Sequence, residues 1–343
     1  MNRFRSRIMR MKSSPSATSI LTPVQLAAVR ARSDAWGAGL VAHAWVVIGS
    51  SMALVAFFPN VAIYFLAVML IGSRQLGLLI LMHDGAHGML TQHRPLNRIL
   101  SQWLCAYPMI ADMDIYRRYH LQHHARTMQD DDPDLALTGH YPISRASLRR
   151  KLLRDLTGRT GYAQRREQLT QALGASDHPW PARLTHVLQT LGPQLGANAV
   201  LFALLTAAGH PWFYLTLWVV PLLTWQQLVL RIRNIAEHAV IPDRNDPFKN
   251  ARTTEASLLE RAFIAPYFVN YHVEHHLLMW VPCYRLPLLR HFLIANGYGG
   301  AMASAFGYWQ VLLAVTVPDA EVLVAEGPRT RAVGTFSQGY KKT

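Results

Sequence analysis

Histidines in this sequence are grouped at spacings that suit metal binding. The chain contains HDGAH at 83–87, HLQHH at 120–124 and HVEHH at 272–276. Residues three and four apart lie on one face of an α-helix, so the histidines within each cluster are expected to point in the same direction. Imidazole nitrogen is a ligand for iron, copper, nickel and zinc. The spacing therefore predicts metal coordination.

A fourth cluster, NIAEH at 234–238, pairs a histidine with an amide four residues earlier. The full set of candidate ligands comprises the following residues: His83, His87, His120, His123, His124, Asn234, His238, His272, His275 and His276. These are too many donors for one ion, because zinc prefers four ligands. About five nitrogen donors per ion suit two higher-coordinate iron centres.

Carboxylates accompany the histidines in two arrangements. Asp84, Glu237 and Glu274 lie inside the clusters and are expected to accept hydrogen bonds that orient the imidazoles. Four more follow the second cluster, namely Asp130, Asp131, Asp132 and Asp134. These four either brace the ligands, bind arginines such as Arg117 and Arg118, or only form a turn and helix cap around the neighbouring proline.

Two long apolar stretches must position these clusters. No Asp, Glu, Lys or Arg occurs in 35–73 or in 184–230, whereas about 20 apolar residues suffice to span a bilayer. Phe58-Pro59-Asn60 and Gly209-His210-Pro211 interrupt the stretches, so each is expected to form a hairpin of two helices. The four spans are predicted near 36–58, 61–82, 187–208 and 212–231.

The basic residues flank these stretches and set the expected topology. The net charge is +14, and Lys and Arg are concentrated before residue 35, within 112–183 and from Arg231 onward. Because short cytoplasmic segments carry excess Lys and Arg, both hairpin tips are expected outside and all four clusters on the cytoplasmic face. The basic residues do not form one groove-sized patch, which argues against a nucleic-acid partner.

The predicted fold is an all-α membrane protein, with four transmembrane helices in two hairpins and a cytoplasmic helical cap that holds the metal site. Residues 1–34 are expected to be a cytoplasmic flank, although their Arg- and Ser-rich composition also resembles a transit peptide. Residues 35–295 form the membrane domain, and residues 296–343 a peripheral segment. Two cysteines cannot build a disulfide framework or an iron–sulfur site.

Three segments have more than one interpretation. Residues 99–111 are apolar but too short to span, which favours a re-entrant or interfacial piece. Residues 291–318 form either a peripheral helix or an additional span. The leucines and basic residues of 148–156 indicate an amphipathic helix on the inner leaflet or a solvated loop. Arg74, inside the second predicted span, is expected to snorkel or to pair within the bundle; the alternative is a contact with a substrate head group or the electron donor.

The four histidine clusters and the predicted four-span topology, together covering about 35–295, resemble the membrane fatty acid desaturase family and the related integral-membrane di-iron hydroxylases. The resemblance implies that the nine clustered histidines ligate two iron ions and that Asn234 acts through a water. It also implies a reaction that consumes O2 and two electrons and removes hydrogen from a lipid chain held in a kinked tunnel. The predicted product is a double bond in a fatty acyl chain.

Alternatives and partners follow from the same residues. The ligands serve equally for a hydroxylase or other monooxygenase of an apolar or small substrate. A membrane metal transporter is more remote, because few ionisable residues lie in the predicted spans or at their ends, namely His43, Arg74, His186 and Arg231. The resemblance implies a separate electron donor of the ferredoxin or cytochrome b5 type, which would dock on the basic face. The expected location is a bacterial inner membrane, with the bilayer and an acyl lipid as partners.

Overall fold

The structure is a computed structural model that describes residues 15–318. The basic start of the predicted flank 1–34 and the end of 296–343 lie outside the described residues. Sixteen α-helices follow one another in the described part: α1 Ala17–Ile20, α2 Pro23–Arg30, α3 Asp34–Phe57, α4 Val61–Ala86, α5 Arg94–Arg98, α6 Met113–Arg126, α7 Leu135–Thr138, α8 Arg145–Leu156, α9 Arg159–Leu173, α10 Trp180–Ala207, α11 Val220–Leu223, α12 Trp225–His238, α13 Leu258–Phe263, α14 His272–Leu277, α15 Leu286–Ala295 and α16 Tyr308–Ala314.

Four helical segments are long and apolar enough to cross a membrane. They are α3, α4, α10 and Tyr214–His238, the last of which combines a π-helical turn at Tyr214–Val219 with α11 and α12. The four predicted spans are therefore confirmed as helices, whereas their arrangement in two hairpins stays a prediction. The helices extend past the apolar stretches, so that α4 carries His83 and α12 carries His238. Gly88, just after α4, has a φ of +75°. Glycine adopts this left-handed conformation readily, and it ends the helix there.

The chain is mostly helical but not all-α, because two short parallel strand pairs join distant segments. β1 Ile143–Ser144 pairs with β4 Thr316–Val317, and β2 Thr253–Glu255 pairs with β3 Ser304–Phe306. The pairs hold residues 304–317 against the rest of the described chain, with α16 between them. Residues 291–318 therefore do not form an additional span.

The core of the bundle is built on α4. Within its apolar window 67% of the residues are buried, against 17% for α10, and Ile71, Leu78 and Leu81 are fully enclosed. A helix that is apolar on all sides is suited to such a central position. A π-helix at Ile99–Ala106, followed by a 3₁₀ turn, packs on α4, so the short apolar segment 99–111 lies against the bundle.

The basic segment after the second histidine cluster is helical, and an ion pair binds it to the fourth spanning segment. Asp155, at the end of α8, is fully buried. It accepts a hydrogen bond from Arg231 Nη2 at 2.9 Å, and Thr160 Oγ1 donates to it at 2.5 Å. This ion pair joins α8 and α9 to α12, which is the helix that carries Asn234 and His238.

Removal of the buried carboxylate should destabilise the protein far more than removal of an exposed one. We expect Asp155→Ala to lower the free energy of unfolding by about 3–5 kcal/mol, because Arg231 would be left partly buried and unpaired. Asp114→Ala is the matched control, since the Arg98–Asp114 pair is 63% and 43% exposed and should contribute about 1 kcal/mol or less. Thermal unfolding in detergent measures both, and equal losses would contradict this account.

Candidate metal centre

The nine histidines of the sequence clusters converge from four elements, namely the end of α4, α6, the end of α12, and α14. They form two groups. The five-histidine group consists of His83, His87, His120, His124 and His275, and the four-histidine group consists of His123, His238, His272 and His276. Within each group the candidate ligand nitrogens lie within 4.8 Å of one another. The seven other histidines all lie among the described residues, and none belongs to either group.

The histidines of one cluster do not all point the same way, so that expectation was wrong for two clusters. His120 and His124 join the five-histidine group, whereas His123 joins the four-histidine group. On α14 the division is reversed: His276 belongs to the four-histidine group, whereas its neighbour His275 belongs to the five-histidine group. Adjacent helical residues are about 100° apart, so an adjacent pair diverges enough to serve two centres. The two groups are side by side, with the rings of His124 and His276 4.4 Å apart.

The Nε2 atoms face one another at short range. His124 Nε2 is 2.9 Å from the Nε2 atoms of both His120 and His275. In the other group, His272 Nε2 is 2.8 Å from that of His238 and 3.1 Å from that of His276. Each short distance between ring nitrogens requires a proton or a cation between their lone pairs.

Unpaired nitrogens show that cations fit both groups better than protons. The Nε2 atoms of His83 and His87 are buried and have no hydrogen-bond partner among the described residues, which is costly unless an ion binds them. His238 Nδ1 donates to the Asn250 carbonyl at 3.3 Å, so its Nε2 offers a lone pair to the group centre. Imidazole suits iron, copper, nickel and zinc, and the division into five and four donors provides two centres.

Outward-facing ring nitrogens have partners that fix the ring orientation. His123 Nδ1 donates to Asp132 Oδ1 at 2.9 Å, and His276 Nδ1 is 3.2 Å from Thr127 Oγ1. Hydrogen bonds of this kind set the tautomer of a metal-binding histidine. Asp132 is itself held by the backbone N–H groups of Met128 and Asp134. It therefore combines the two roles proposed for these carboxylates, since it forms the turn and also braces a ligand.

The other carboxylates after α6 do not contact Arg117 or Arg118. Asp130 pairs with Arg244 and Asp131 with Arg126. Asp134 accepts a hydrogen bond from the Tyr119 hydroxyl. These carboxylates consequently stabilise the loop that carries Asp132.

The carboxylates inside the clusters have three different environments. Asp84 accepts a hydrogen bond from the Cys283 N–H at 2.8 Å and lies 3.9 Å from His83 Nδ1. Glu237 Oε2 is 3.4 Å from His272 Nε2, on the side of the ring that faces the group centre. The expectation for Glu274 was wrong, because its carboxylate binds Thr253 and Arg290 instead of an imidazole. Glu274 thereby anchors α14 to β2 and α15.

Asn234 lies beside a small cavity next to the four-histidine group. The cavity has a volume of about 30 Å³ and is lined by Asn234, His238 and His272 together with Arg233 and Glu237. A space of this size holds a water molecule if polar groups surround it. The water-mediated role of Asn234 stays a prediction, and the cavity provides the space that it requires.

Burial keeps most of these rings neutral. It lowers the pKa of His87 to about 4. Burial and neighbouring histidines also hold five further pKa values well below 6.5, those of His120, His124, His272, His275 and His276. His123 differs: burial acts to lower its pKa, but the hydrogen bond to Asp132 and the nearby charges of Asp134, Asp132 and Glu237 together raise it. Metal binding requires neutral imidazole, so the enclosure favours the ligand form at neutral pH.

Gly85, within the first histidine cluster, allows the end of α4 to pack closely against the π-helix Ile99–Ala106. A Cβ at Gly85 would be 2.4 Å from Ser101 Oγ, so only glycine permits the π-helix to approach α4 between His83 and His87. The Asn97 amide also donates to the Gly85 carbonyl at 2.9 Å. Sequence reasoning did not find Asn250 and Thr127, because a backbone carbonyl and a lone hydroxyl leave no sequence pattern.

Comparison with known proteins agrees with the geometry. The chain belongs to the fatty acid desaturase family, whose sequence profile matches residues 56–306. It is also 28% identical over 253 residues to dihydrorhizobitoxine desaturase of Bradyrhizobium elkanii, and the match covers 71% of each chain. The matched range 56–306 contains all four histidine clusters.

Loss of the Asp132 carboxylate should weaken one centre and spare the other. We expect Asp132→Asn to reduce the metal affinity of the four-histidine group by about 10- to 100-fold, because the charged acceptor that orients His123 becomes a neutral amide with only one acceptor oxygen. Competition with chelators of graded affinity measures this change. Asp131→Asn is the control, since that carboxylate is 58% exposed and pairs only with Arg126. Equal metal loss in both variants would overturn the assignment.

The metal-free protein should lose stability on acidification. In the unfolded chain the histidines titrate near 6.5, whereas the folded pKa values of all these rings except that of His123 are lower. Below pH 6.5 the unfolded state thus binds more protons, and the free energy of unfolding falls as pH falls. Thermal midpoints of metal-free protein should decrease steadily from pH 7.5 to pH 5. A constant or rising midpoint would contradict the burial argument.

Proposed function

We propose that this protein is a membrane di-iron desaturase that uses O2 to introduce a double bond into a fatty acyl chain. The observation that carries the proposal is the division of nine buried or half-buried histidines into two adjacent groups with inward-facing nitrogens. Membership of the desaturase family supports iron among the metals that imidazole binds. The balanced reaction converts a CH2–CH2 unit, O2, two electrons and two protons into a CH=CH unit and two waters.

The protein's own residues position the metals and restrict water. When bound, the two iron ions would supply O2 activation and the removal of two hydrogen atoms from the chain. The nine histidines would hold the ions, with Asp132, Thr127 and the Asn250 carbonyl fixing three of the rings. His120, His123 and other ligands are at most 6% exposed, which limits side reactions with bulk water.

The four apolar helices support an acyl substrate, since they would place the centre next to a bilayer. A smaller substrate is the second candidate, and two observations favour it. The similar Bradyrhizobium protein is named for dihydrorhizobitoxine and not for a fatty acid. The cavity at the four-histidine group is small and is lined by polar residues that include Arg233, Asn234 and Glu237.

An acidic electron donor, of ferredoxin or cytochrome b5 type, would supply the two electrons. Arg117, Arg118 and Arg126 are exposed on α6, the helix that also carries three candidate ligands. Opposite charge on the donor would accelerate encounter at this face. We place this face in the cytoplasm and the protein in a bacterial inner membrane, as the distribution of Lys and Arg predicts.

Product analysis tests the proposal. Iron-loaded protein with an electron donor should convert acyl lipids to products that lack two hydrogens, and His275→Ala should abolish this because a ligand is lost. His140→Ala is the control, since His140 lies outside both groups and near Lys151. An alcohol product would establish the hydroxylase alternative instead. If only a small substrate is converted, the substrate is not an acyl lipid. If no O2 is consumed with acyl lipids or with small substrates, the proposed O2-dependent reaction is refuted.

A further inference from the structure

A charged residue lies deep in the second spanning helix. α4 contains 26 residues, whereas about 20 cross the hydrocarbon layer. Every window of that length within Val61–Ala86 includes both Ser73 and Arg74, at least six residues, or about 9 Å, from either end of the window. Both side chains are buried in the protein. Their hydrogen-bond partners therefore lie at hydrocarbon depth.

The partners are backbone carbonyls from the segment before the last histidine cluster. Ser73 Oγ donates to the Phe263 carbonyl, and an Arg74 Nη donates to the Ala262 carbonyl, each at 2.5 Å. Tyr267 lies on the same level, where its hydroxyl is 3.0 Å from His43 Nδ1 on α3. Residues 257–268, here named the inserted segment, thus contact α3 and α4 within the membrane region.

Close approach of this segment depends on a glycine. A Cβ at Gly77 would lie 2.4 Å from the Tyr267 ring, so a larger residue would displace the segment. The Arg74 guanidinium also lies over that ring, 5.4 Å from its centre. The inserted segment is consequently a fitted part of the bundle and not a loop that merely passes near it.

Backbone groups at both ends of α13 have hydrogen-bond partners, as a helix in hydrocarbon requires. At the start, Ser257 and Glu260 form a capping box, in which Glu260 accepts from the Ser257 N–H at 2.8 Å. At the end, Ser73 and Arg74 bind the carbonyls just described. Arg74 therefore pairs within the bundle, as one of the expectations for it had it, and its partner is a backbone carbonyl.

Two leucines of the inserted segment are exposed next to each other in the described chain, beside Ser257. Leu258 is 82% exposed and Leu259 is 73% exposed. Phe306 and Trp309 extend this face at 66% and 69% exposure, and Glu260 joins the two parts by accepting from the Tyr308 N–H at 2.7 Å. Apolar side chains that are exposed at membrane depth are expected to contact lipid and not water.

We propose that the inserted segment is a re-entrant membrane element whose Leu258 and Leu259 contact the acyl chains of the surrounding leaflet. The lipid is favoured over a protein partner because the segment is bound to Ser73 and Arg74, which lie at hydrocarbon depth. The segment leads through Asn270 and Tyr271 directly into α14. The bilayer thereby helps to hold the element that carries three of the candidate ligands.

Spin labels at single cysteines test this placement in full-length protein reconstituted in phosphatidylcholine nanodiscs. Leu259→Cys reports on the inserted segment. Val200→Cys, on α10 and 60% exposed, is the lipid control, and Asp130→Cys, whose side chain is 95% exposed, is the water control. The native Cys105 and Cys283 are buried, so the label should react with the introduced thiol.

The proposal predicts that the Leu259 label collides with dissolved O2 as the Val200 label does, and is shielded from a water-soluble nickel complex at least five-fold relative to Asp130. Accessibility to the nickel complex equal to that of Asp130 would place the segment in water and overturn the proposal. If the Leu259 label is shielded from both reagents and its spectrum is broadened by the label of a second copy, another copy of the chain covers this face. That result would also overturn the proposal. A label at Leu258, as Leu258→Cys, provides an independent second reading if Leu259→Cys does not fold.

Discussion

The structure depends on the close approach of imidazole lone pairs. Ring nitrogens of neutral histidines face one another at 2.8–3.1 Å, in an environment where protonation is unfavourable and water is largely absent. A cation between the lone pairs stabilises such an arrangement. The helix ends, the capping loop after α6 and the strand pairs therefore serve one requirement, which is to hold nine rings against two small volumes.

The scaffold meets this requirement by combining buried helices with short connections. α4 occupies the centre of the bundle and brings His83 to its last turn, while Asp155 fixes the basic helices to α12. Strand β2 and Arg290 hold α14 through Glu274. Breaking any of these contacts would change ring positions by fractions of an ångström to an ångström, and metal affinity is sensitive to changes of that size.

The sequence predicted much of this arrangement, because its strongest signals are local. Charge-free runs predicted four helices long enough to span a membrane, and i, i+3 and i+4 spacing predicted which histidines come together in the two groups. Spacing did not reveal that His123 and His124 belong to different groups. Adjacent residues of a helix point about 100° apart, so the two rings can lie beside two different centres. Contacts between distant segments were also missed, such as Glu274 with Arg290, because pairing across the fold leaves no periodic pattern in one chain.

The number of metal ions per chain tests the central claim most directly. Protein expressed in iron-supplemented medium and purified in detergent should contain about two iron atoms per chain by elemental analysis, one for each histidine group. His123→Ala, in the four-histidine group, should retain about one. Zinc at one atom or fewer per chain, with no further iron uptake on reconstitution, would contradict a two-iron centre.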